Sequence, residues 1–176
     1  MNNIECEVRS IITKEQYFNL LNRLKSEAQF LDEDDQINYH FEAGKDLRIQ
    51  KNKYGAKIAL KSGAMHDEQR HELEIEVSLD QFEKLEALFI GLGFRYIKWL
   101  RHRSTFRWHD IDVLLDNTKG YAYIIELEKM SNEKEKDATL YYLKSKLSEL
   151  GLKPTPRELF DRHYNYYKQN WKKLIL

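Results

Sequence analysis

The chain contains little cysteine, proline or glycine. Of its 176 residues, 1 is cysteine, 2 are proline and 7 are glycine. The single cysteine, Cys6, excludes an internal disulfide and every multi-cysteine zinc motif. Repeats, low-complexity tracts and linker-like segments are also missing from the sequence. We therefore predict one domain over residues 1–176.

The sequence also lacks a surplus of either charge and any long apolar run. Lys plus Arg and Asp plus Glu each number 29, so the formal net charge is zero. Because non-specific nucleic-acid binding depends on an excess of Lys and Arg, we do not expect nucleic acid as a partner. With neither an apolar span nor a signal-peptide core in the sequence, we expect no membrane association and a cytoplasmic location.

The sequence is rich in charged residues that occupy every second position, which is the period of a β-strand. Side chains alternate between the two faces of a strand, so Glu5, Glu7 and Arg9 share one face and Cys6 and Val8 the other. The alternation predicts eight strands, at 5–12, 36–42, 46–50, 57–61, 70–77, 94–108, 110–116 and 121–129. Asp32 to Asp35 is expected to break the pattern ahead of the second strand.

Helix signals lie between and after these strands. Thr13 and Gln16 form a capping box, and Gly93 follows a helical pattern that begins at Ser78 or Asp80. Further helices are predicted over 131–150 and from a capping box at 155–158, where proline occupies the first helical position. We therefore predict an α+β fold: an eight-stranded antiparallel β-barrel with flanking helices and C-terminal helices, the last of which lies across the barrel or caps one end.

The charged faces suggest a binding site because they contain many Arg, Lys and Glu residues and few Ser, Thr or Gln residues. The polar face of one strand would ordinarily look at water. Here the opposite faces are apolar enough to need covering by helices, so a closed sheet would place the charges in a bore that admits one small ligand. Both signs together suit a polyphosphate bound with a divalent metal, since Arg and Lys pair with phosphate and carboxylates bind Mg²⁺ or Mn²⁺.

The segment Glu5-x-Glu7-x-Arg9 resembles the ExExK signature of the CYTH superfamily, the triphosphate tunnel metalloenzymes. That family includes class IV adenylate cyclases, thiamine triphosphatases and inorganic triphosphatases. The similarity continues in order along nearly the whole chain, through Leu47-Arg48-Ile49, Leu60-Lys61, the strand from Arg70 to Glu76, Leu92-Gly93-Phe94, Arg101-x-Arg103, Leu115-Asp116, Gly120 and Glu126-x-Glu128. It implies an eight-stranded antiparallel tunnel that binds a triphosphate with Mg²⁺ or Mn²⁺.

The resemblance also implies roles for individual residues. The expected metal ligands are Glu5, Glu7, Asp116, Glu126 and Glu128. The expected triphosphate ligands are Arg9, Arg48, Lys57, Lys61, Arg70, Arg101 and Arg103. The expected catalytic residues are Arg9, Lys61 and Glu74. Glu74 and Glu76 are also expected to assist from behind the ligands or at a second metal.

Three positions depart from the family pattern. Arg9 replaces the signature lysine and stays protonated, so it is unsuited to act as a base. Gln50 stands where many members have a second arginine, and Ala122 where they often have a second glycine. These departures predict weaker phosphate binding or a different substrate.

The histidines and aromatic residues receive structural interpretations. His40, His71, His102 and His109 form no spaced metal motif and are interpreted as structural or exposed. For Trp99, Trp108 and Trp171, packing is favoured over stacking on a base. The group Tyr164, Tyr166, Tyr167 and Lys168 fits helix packing and contact with the organic end of a substrate equally well.

The first functional hypothesis is a metal-dependent phosphohydrolase acting on inorganic, nucleoside or thiamine triphosphate. The alternative is a class IV adenylate cyclase that converts ATP to cyclic AMP and pyrophosphate, and a further alternative is a non-catalytic triphosphate-binding module. The expected partner is a small-molecule triphosphate, and the binding module would hold either a triphosphorylated nucleotide or the triphosphorylated 5′ end of an RNA. A homodimer, the physiological substrate and the number of metals are left open by the sequence.

Overall fold

The computed structural model describes residues 4–63 and 67–176, which form a closed antiparallel β-barrel flanked by helices. In chain order the elements are β1 (Ile4–Ile12), α1 (Lys14–Glu27), β2 (Gln29–Glu42), β3 (Asp46–Lys51), β4 (Ala56–Lys61), β5 (Gln69–Val77), a 3₁₀ turn (Leu79–Gln81), α2 (Phe82–Gly91), β6 (Tyr96–Trp108), β7 (Ile111–Thr118), β8 (Ala122–Ser131), α3 (Lys136–Glu149) and α4 (Arg157–Leu174). The predicted α+β class and the eight-stranded barrel are confirmed.

The strand order places the charged faces together inside the ring. Around the barrel the strands run β1-β5-β4-β3-β2-β6-β7-β8, and each pairs antiparallel with its neighbours. Residues paired across antiparallel strands point to the same side of the sheet. The register pairs Glu7 with Glu128 and Arg103 with Asp116, so the side chains of these strands converge on one interior.

Two helices cover the outer surface next to β1. The predicted capping box of α1 is confirmed, because the Thr13 hydroxyl accepts a bond from the Gln16 amide (3.1 Å) and the Gln16 side chain accepts one from the Thr13 amide (2.9 Å). Leu24 of α1 and Leu147 of α3 are fully buried in one apolar cluster with Cys6. Cys6 therefore faces away from the bore, as its position in the strand predicts.

A second apolar cluster lies under α2. Phe82 packs there with Phe41 and Ile49 of the barrel wall. Gly93 follows the helix with φ of 85°, and the amides of Gly93 and Phe94 bond back to the carbonyls of Ile90 and Phe89. This is the glycine-dependent helix ending that the sequence predicts.

α4 packs against one end of the barrel interior. Its Tyr167 lies in a third cluster with Ile97 and Trp99 of β6, and Tyr167 stacks on Trp99 at a centroid distance of 4.3 Å. The predicted capping box at 155–158 is wrong. Pro156 precedes the helix without a side-chain cap, and the Thr155 hydroxyl instead accepts a bond from the Ile11 amide of β1 (2.9 Å).

Two predicted boundaries also differ from the structure. Asp32 to Asp35 belongs to β2, which begins at Gln29, because β2 pairs along its length with the long strand β6 across one irregularity near Phe30. Tertiary pairing here overrides the low strand propensity of Asp. Ser131 ends β8 rather than beginning a helix, since Asn132 organises a turn by accepting bonds from the amides at 134 and 135.

Among the described residues, no helix is both long and apolar enough to cross a membrane.

Two glycines allow backbone strain to be separated from steric crowding. Gly120 and Gly151 both have positive φ, at 73° and 78°. A Cβ atom at 120 would lie 2.5 Å from the Cβ of Leu174 and 2.7 Å from its carbonyl oxygen, whereas one at 151 would have no neighbour within 4 Å among the described residues. Gly151→Ala should lower the free energy of unfolding by about 1–2 kcal/mol through strain alone.

Gly120→Ala should lower it by a further amount of about 1–3 kcal/mol, because α4 must shift to admit the methyl group. Urea denaturation of both variants measures the difference. Equal losses of stability in Gly120→Ala and Gly151→Ala would show that α4 does not resist the methyl group added at position 120.

Candidate active site

The inward faces of the strands enclose a cavity of about 330 Å³. All of the predicted metal ligands, triphosphate ligands and catalytic residues line it: Glu5, Glu7, Arg9, Arg48, Lys57, Lys61, Arg70, Glu74, Arg101, Arg103, Asp116, Glu126 and Glu128. Glu76 lies in the wall of a separate surface depression at the end of β5. The period-2 alternation thus assembles both charge signs in one space.

Three carboxylates form the tightest acidic group. One oxygen each from Glu5, Glu7 and Glu128 lies within 4.8 Å of the others. Glu5 and Glu7 occupy alternate positions of β1, and Glu7 is paired with Glu128 across the β1–β8 ladder. Three carboxylates at this spacing repel one another unless a cation or protons intervene. Their oxygens are the donors that Mg²⁺ and Mn²⁺ accept, so the group fits a divalent cation.

The protonation of this group reflects its surroundings. Burial and then the nearby carboxylates of Glu5, Glu126 and Glu7 raise the pKa of Glu128 to about 8, although Arg103 opposes the shift. Burial likewise raises the pKa of Glu72 to about 7, with Glu5 adding to the effect. Sequence reasoning did not assign Glu72 to the site, yet it lines the cavity. Near neutral pH this wall holds protons that a bound cation would displace.

Asp116 and Glu126 are engaged by arginines. Arg103 holds Asp116 in a bidentate pair, with both nitrogen–oxygen distances 2.7 Å, and also contacts Glu126 at 2.7 Å. Arg101 contacts Asp116 at 3.2 Å. Burial alone would raise the pKa of Glu126, but Arg103 and Arg101 hold it at about 2. The five carboxylates expected as metal ligands therefore divide into a close cluster of three and two that are both bonded to Arg103.

A further carboxylate missing from the sequence assignment orients two more arginines. Asp46 binds Arg48 through both carboxylate oxygens, at 2.7 and 2.6 Å, and Arg70 at 2.8 Å. Arg70 also reaches Glu7 at 3.3 Å. Burial opposes ionisation of Asp46, yet Arg48 holds its pKa well below the usual range. Asp46 is the first residue of β3. Because it lies two residues before Arg48, strand alternation could have placed the two side chains on the same face.

The two lysines differ in position. Lys61 is largely buried and contacts Glu5 at 2.6 Å and Glu72 at 3.3 Å. Although burial lowers its pKa, Glu5 and the other carboxylates raise it overall, so the ammonium group stays charged. Lys57 and Glu74 are more exposed and pair with each other.

Arg9 lies where the barrel wall meets α4. Its guanidinium contacts Glu7 at 3.5 Å, and its Cζ lies 5.1 Å from the ring centroid of Phe160. Phe160 belongs to α4 and also lines the cavity. An arginine here can bind an anion but not accept a proton.

Four ring-bearing side chains beyond the predicted site residues also line the cavity. Trp99, Tyr121, Tyr164 and His40 all contribute to its wall. Tyr167 is fully buried, Tyr166 is exposed and Lys168 pairs with Glu42, so only part of that group reaches the site. Trp99 lies two residues from Arg101 on β6 and therefore on the same inward face, and His40 is paired with the inward-facing Arg48. The strand alternation could therefore have placed Trp99 in the cavity, and the pairing of β2 with β3 places His40 there.

Comparisons with known proteins agree with this geometry. The family model described as the CYTH domain matches residues 3–156. A Methanocaldococcus jannaschii protein provisionally named an adenylate cyclase is 33% identical over 81 residues, which are 45% of this chain and 46% of that protein. The chain thus spans about half the length of the curated relative it matches.

Solved structures share the fold. One from Pyrococcus horikoshii has a TM-score of 0.69 and 24% identity, covering 85% of this chain and 91% of that one. Another, from Hippeastrum, is provisionally named an adenylyl cyclase and described as having a dominant triphosphatase activity. Its TM-score is 0.58 at 19% identity, covering 92% of this chain and 95% of that one.

The family match covers most of the chain and includes every strand of the charged barrel. This chain belongs to the CYTH domain family.

Proposed function

We propose that the chain is a divalent-metal-dependent enzyme that processes a triphosphate, with hydrolysis of the triphosphate as its first activity. The observation that carries the proposal is the adjacency of the Glu5, Glu7 and Glu128 cluster to inward-facing arginines and lysines. A triphosphate with its metal supplies charges of both signs, and it would match both parts of this wall. The CYTH family membership supports the same ligand.

The structure supports a division of roles among the carboxylates. Glu5, Glu7 and Glu128 would hold the metal, which supplies charge neutralisation at the phosphates when bound. Asp116 and Glu126 would position Arg101 and Arg103, whose remaining N–H groups can donate to phosphate oxygens. This differs from the five-ligand assignment that the family resemblance implies. Among the described residues, oxygens of Glu5, Glu7 and Glu128 lie within 4.8 Å of one another, whereas Asp116 and Glu126 are both held by Arg103.

The cations would act by positioning the phosphate chain. Arg48 and Arg70 are fixed by Asp46, and Lys61 by Glu5, so their geometry is set before a ligand binds. Preorganised charge at the place where negative charge develops is the main source of catalysis in phosphoryl transfer. Glu74, paired with Lys57 near the solvent, is the carboxylate proposed to accept a proton from attacking water.

The alternative is an adenylate cyclase, which uses the same metal and cations but a different nucleophile. There the ribose 3′-hydroxyl would attack the α-phosphorus and release pyrophosphate, in place of water attacking the terminal phosphorus. The provisional name of the archaeal relative favours this alternative, while the triphosphatase activity described for the Hippeastrum protein favours hydrolysis. A non-catalytic triphosphate binder is the third candidate.

Product analysis separates the three candidates. Pure protein is incubated with ATP, thiamine triphosphate or inorganic triphosphate in Mg²⁺ or Mn²⁺, and products are resolved by anion-exchange chromatography. We expect orthophosphate from at least one substrate. Cyclic AMP with pyrophosphate would instead establish the cyclase, and binding without any product would leave only the binding module.

Removal of one carboxylate from the cluster should abolish the metal-dependent reaction. Glu128→Gln is expected to reduce kcat about 100-fold or more, because metal ions contribute several kcal/mol to transition-state stabilisation. Glu149→Gln, at an exposed position of α3, is the matched control and should retain full activity. Full activity in Glu128→Gln would contradict the proposed metal site.

Metal affinity should rise with pH. Because the pKa of Glu128 is raised to about 8, the group is protonated at pH 6, and Mn²⁺ must displace that proton. The affinity should therefore increase between pH 6 and 8, by at most about tenfold per pH unit for one proton, and then level off. Titration calorimetry in buffers of different ionisation enthalpy counts the released protons.

The same titration of Glu128→Gln should show weaker binding and a flatter pH dependence, since both the ligand and its proton are gone. Affinity of the unmodified protein that stays constant from pH 6 to 8 would contradict the assignment of Glu128 to the metal.

A further inference from the structure

The barrel wall opposite the metal cluster has a different chemical character. In the ring of eight strands, β2 lies four strands from β1 in either direction. Glu5 and Glu7 occupy β1, whereas β2 presents His40, with Trp99 on the neighbouring strand β6. The two rings lie 5.3 Å apart between centroids, and the residues are 8% and 6% exposed.

The polar atoms of this pair are buried and lack partners. Within residues 4–63 and 67–176, neither ring nitrogen of His40 has a hydrogen-bond partner, and neither does the indole nitrogen of Trp99. Burial, followed by the charge of Arg48, lowers the pKa of His40 well below its usual value, so the imidazole is neutral. A neutral imidazole offers one donor and one acceptor, and the indole offers one donor.

Unpartnered buried groups of this kind call for a ligand group or ordered water. Leaving a buried donor or acceptor unsatisfied costs about 1–3 kcal/mol. The oxygens of an ionised triphosphate accept hydrogen bonds but donate none, so they cannot satisfy the acceptor nitrogen of His40. A partner for both His40 and Trp99 must carry donors as well as acceptors.

The location of the pair connects it to the phosphate-binding cations. His40 is paired with Arg48 across the β2–β3 ladder, and Trp99 precedes Arg101 by two residues on the same inward face. Tyr121 and Tyr164 extend the wall beside Trp99 with aromatic surface. A group bound here would therefore lie next to the phosphates, as the organic part of one molecule would.

We propose that His40 and Trp99 form a specificity subsite for the nucleoside part of a nucleoside triphosphate. This inference rests on the proposed triphosphate function and narrows its substrate from inorganic to organic triphosphates. Nucleobase edges and ribose hydroxyls both supply donors and acceptors, and the aromatic wall offers a surface for a base to contact. The metal would bind at the wall formed by β1 and β8, and the nucleoside would be selected at the wall formed by β2 and β6, next to Arg48 and Arg101.

The test compares ATP with inorganic triphosphate in variants that keep an aromatic ring but remove its polar atoms. Trp99→Phe and His40→Phe should each raise the KM for Mg-ATP about tenfold while leaving the KM for inorganic triphosphate within about twofold. Trp108→Phe and His102→Gln are matched controls. Trp108 is buried on the outer face of β6, and His102 is partly exposed and bonded to Asp35 and Glu33.

A second arm leaves the protein unchanged and thus avoids any folding defect. The wild type is given purine riboside triphosphate, which lacks the exocyclic amine of ATP, or 2′-deoxy-ATP. A rise in KM for the first identifies the base as the recognised group, and a rise for the second identifies the sugar. No change with either analogue, together with unchanged variants, would show that water alone occupies the subsite and would overturn the inference.

An equal loss for ATP and inorganic triphosphate in the variants would also overturn it, because that result indicates a phosphate-binding or structural role. Calorimetric binding of the Mn²⁺ complexes of both ligands separates this inference from the proposed enzyme. If the wild type turns over neither substrate, the enzyme proposal fails. The subsite stands if the variants still lose affinity for ATP selectively, and fails if they lose none or lose both equally.

Discussion

The structure depends on keeping many ionised side chains inside a closed barrel. Removing a charge from water costs several kcal/mol, and that cost is offset only where an opposite charge and further hydrogen bonds are in place. Asp46 between Arg48 and Arg70, and Asp116 between Arg101 and Arg103, meet this condition within the protein. The cluster of Glu5, Glu7 and Glu128 meets this condition less completely. The pKa of Glu128 is raised because the group is buried and its ionised form lacks enough nearby positive charge.

The same constraint governs the outside of the barrel. A strand whose inward face is charged has only its outward face left to contribute to an apolar core. The helices α1 and α3 cover that face near β1, and α2 covers it near β3, which gives separate outer clusters instead of one central core. The protein therefore reverses the usual arrangement, with its apolar core in a shell around a polar interior.

The alternation of side chains along a strand explains which features of the site could be predicted from the sequence. It places Glu5, Glu7 and Arg9 on one face, and it brings the predicted metal ligands, triphosphate ligands and catalytic residues to the cavity, because the period of a strand is a local property. Pairing between strands is not local. That Arg103 would bind Asp116, and that Glu7 would lie beside Glu128, depends on the registers of β6 with β7 and of β1 with β8. The extension of β2 and the bond between Thr155 and Ile11 were missed for the same reason.

The family match ends at residue 156, immediately before α4. The charged wall, from Glu5 to Glu128, lies wholly within the matched residues, whereas α4 begins at Arg157 and contributes Phe160 and Tyr164 to the cavity. The ionic chemistry and part of the aromatic surface are thus encoded in separate stretches of the chain. Mutations in α4 can reshape one part of the cavity without touching the buried ion pairs, so selection could alter ligand preference while the barrel's electrostatics stay intact.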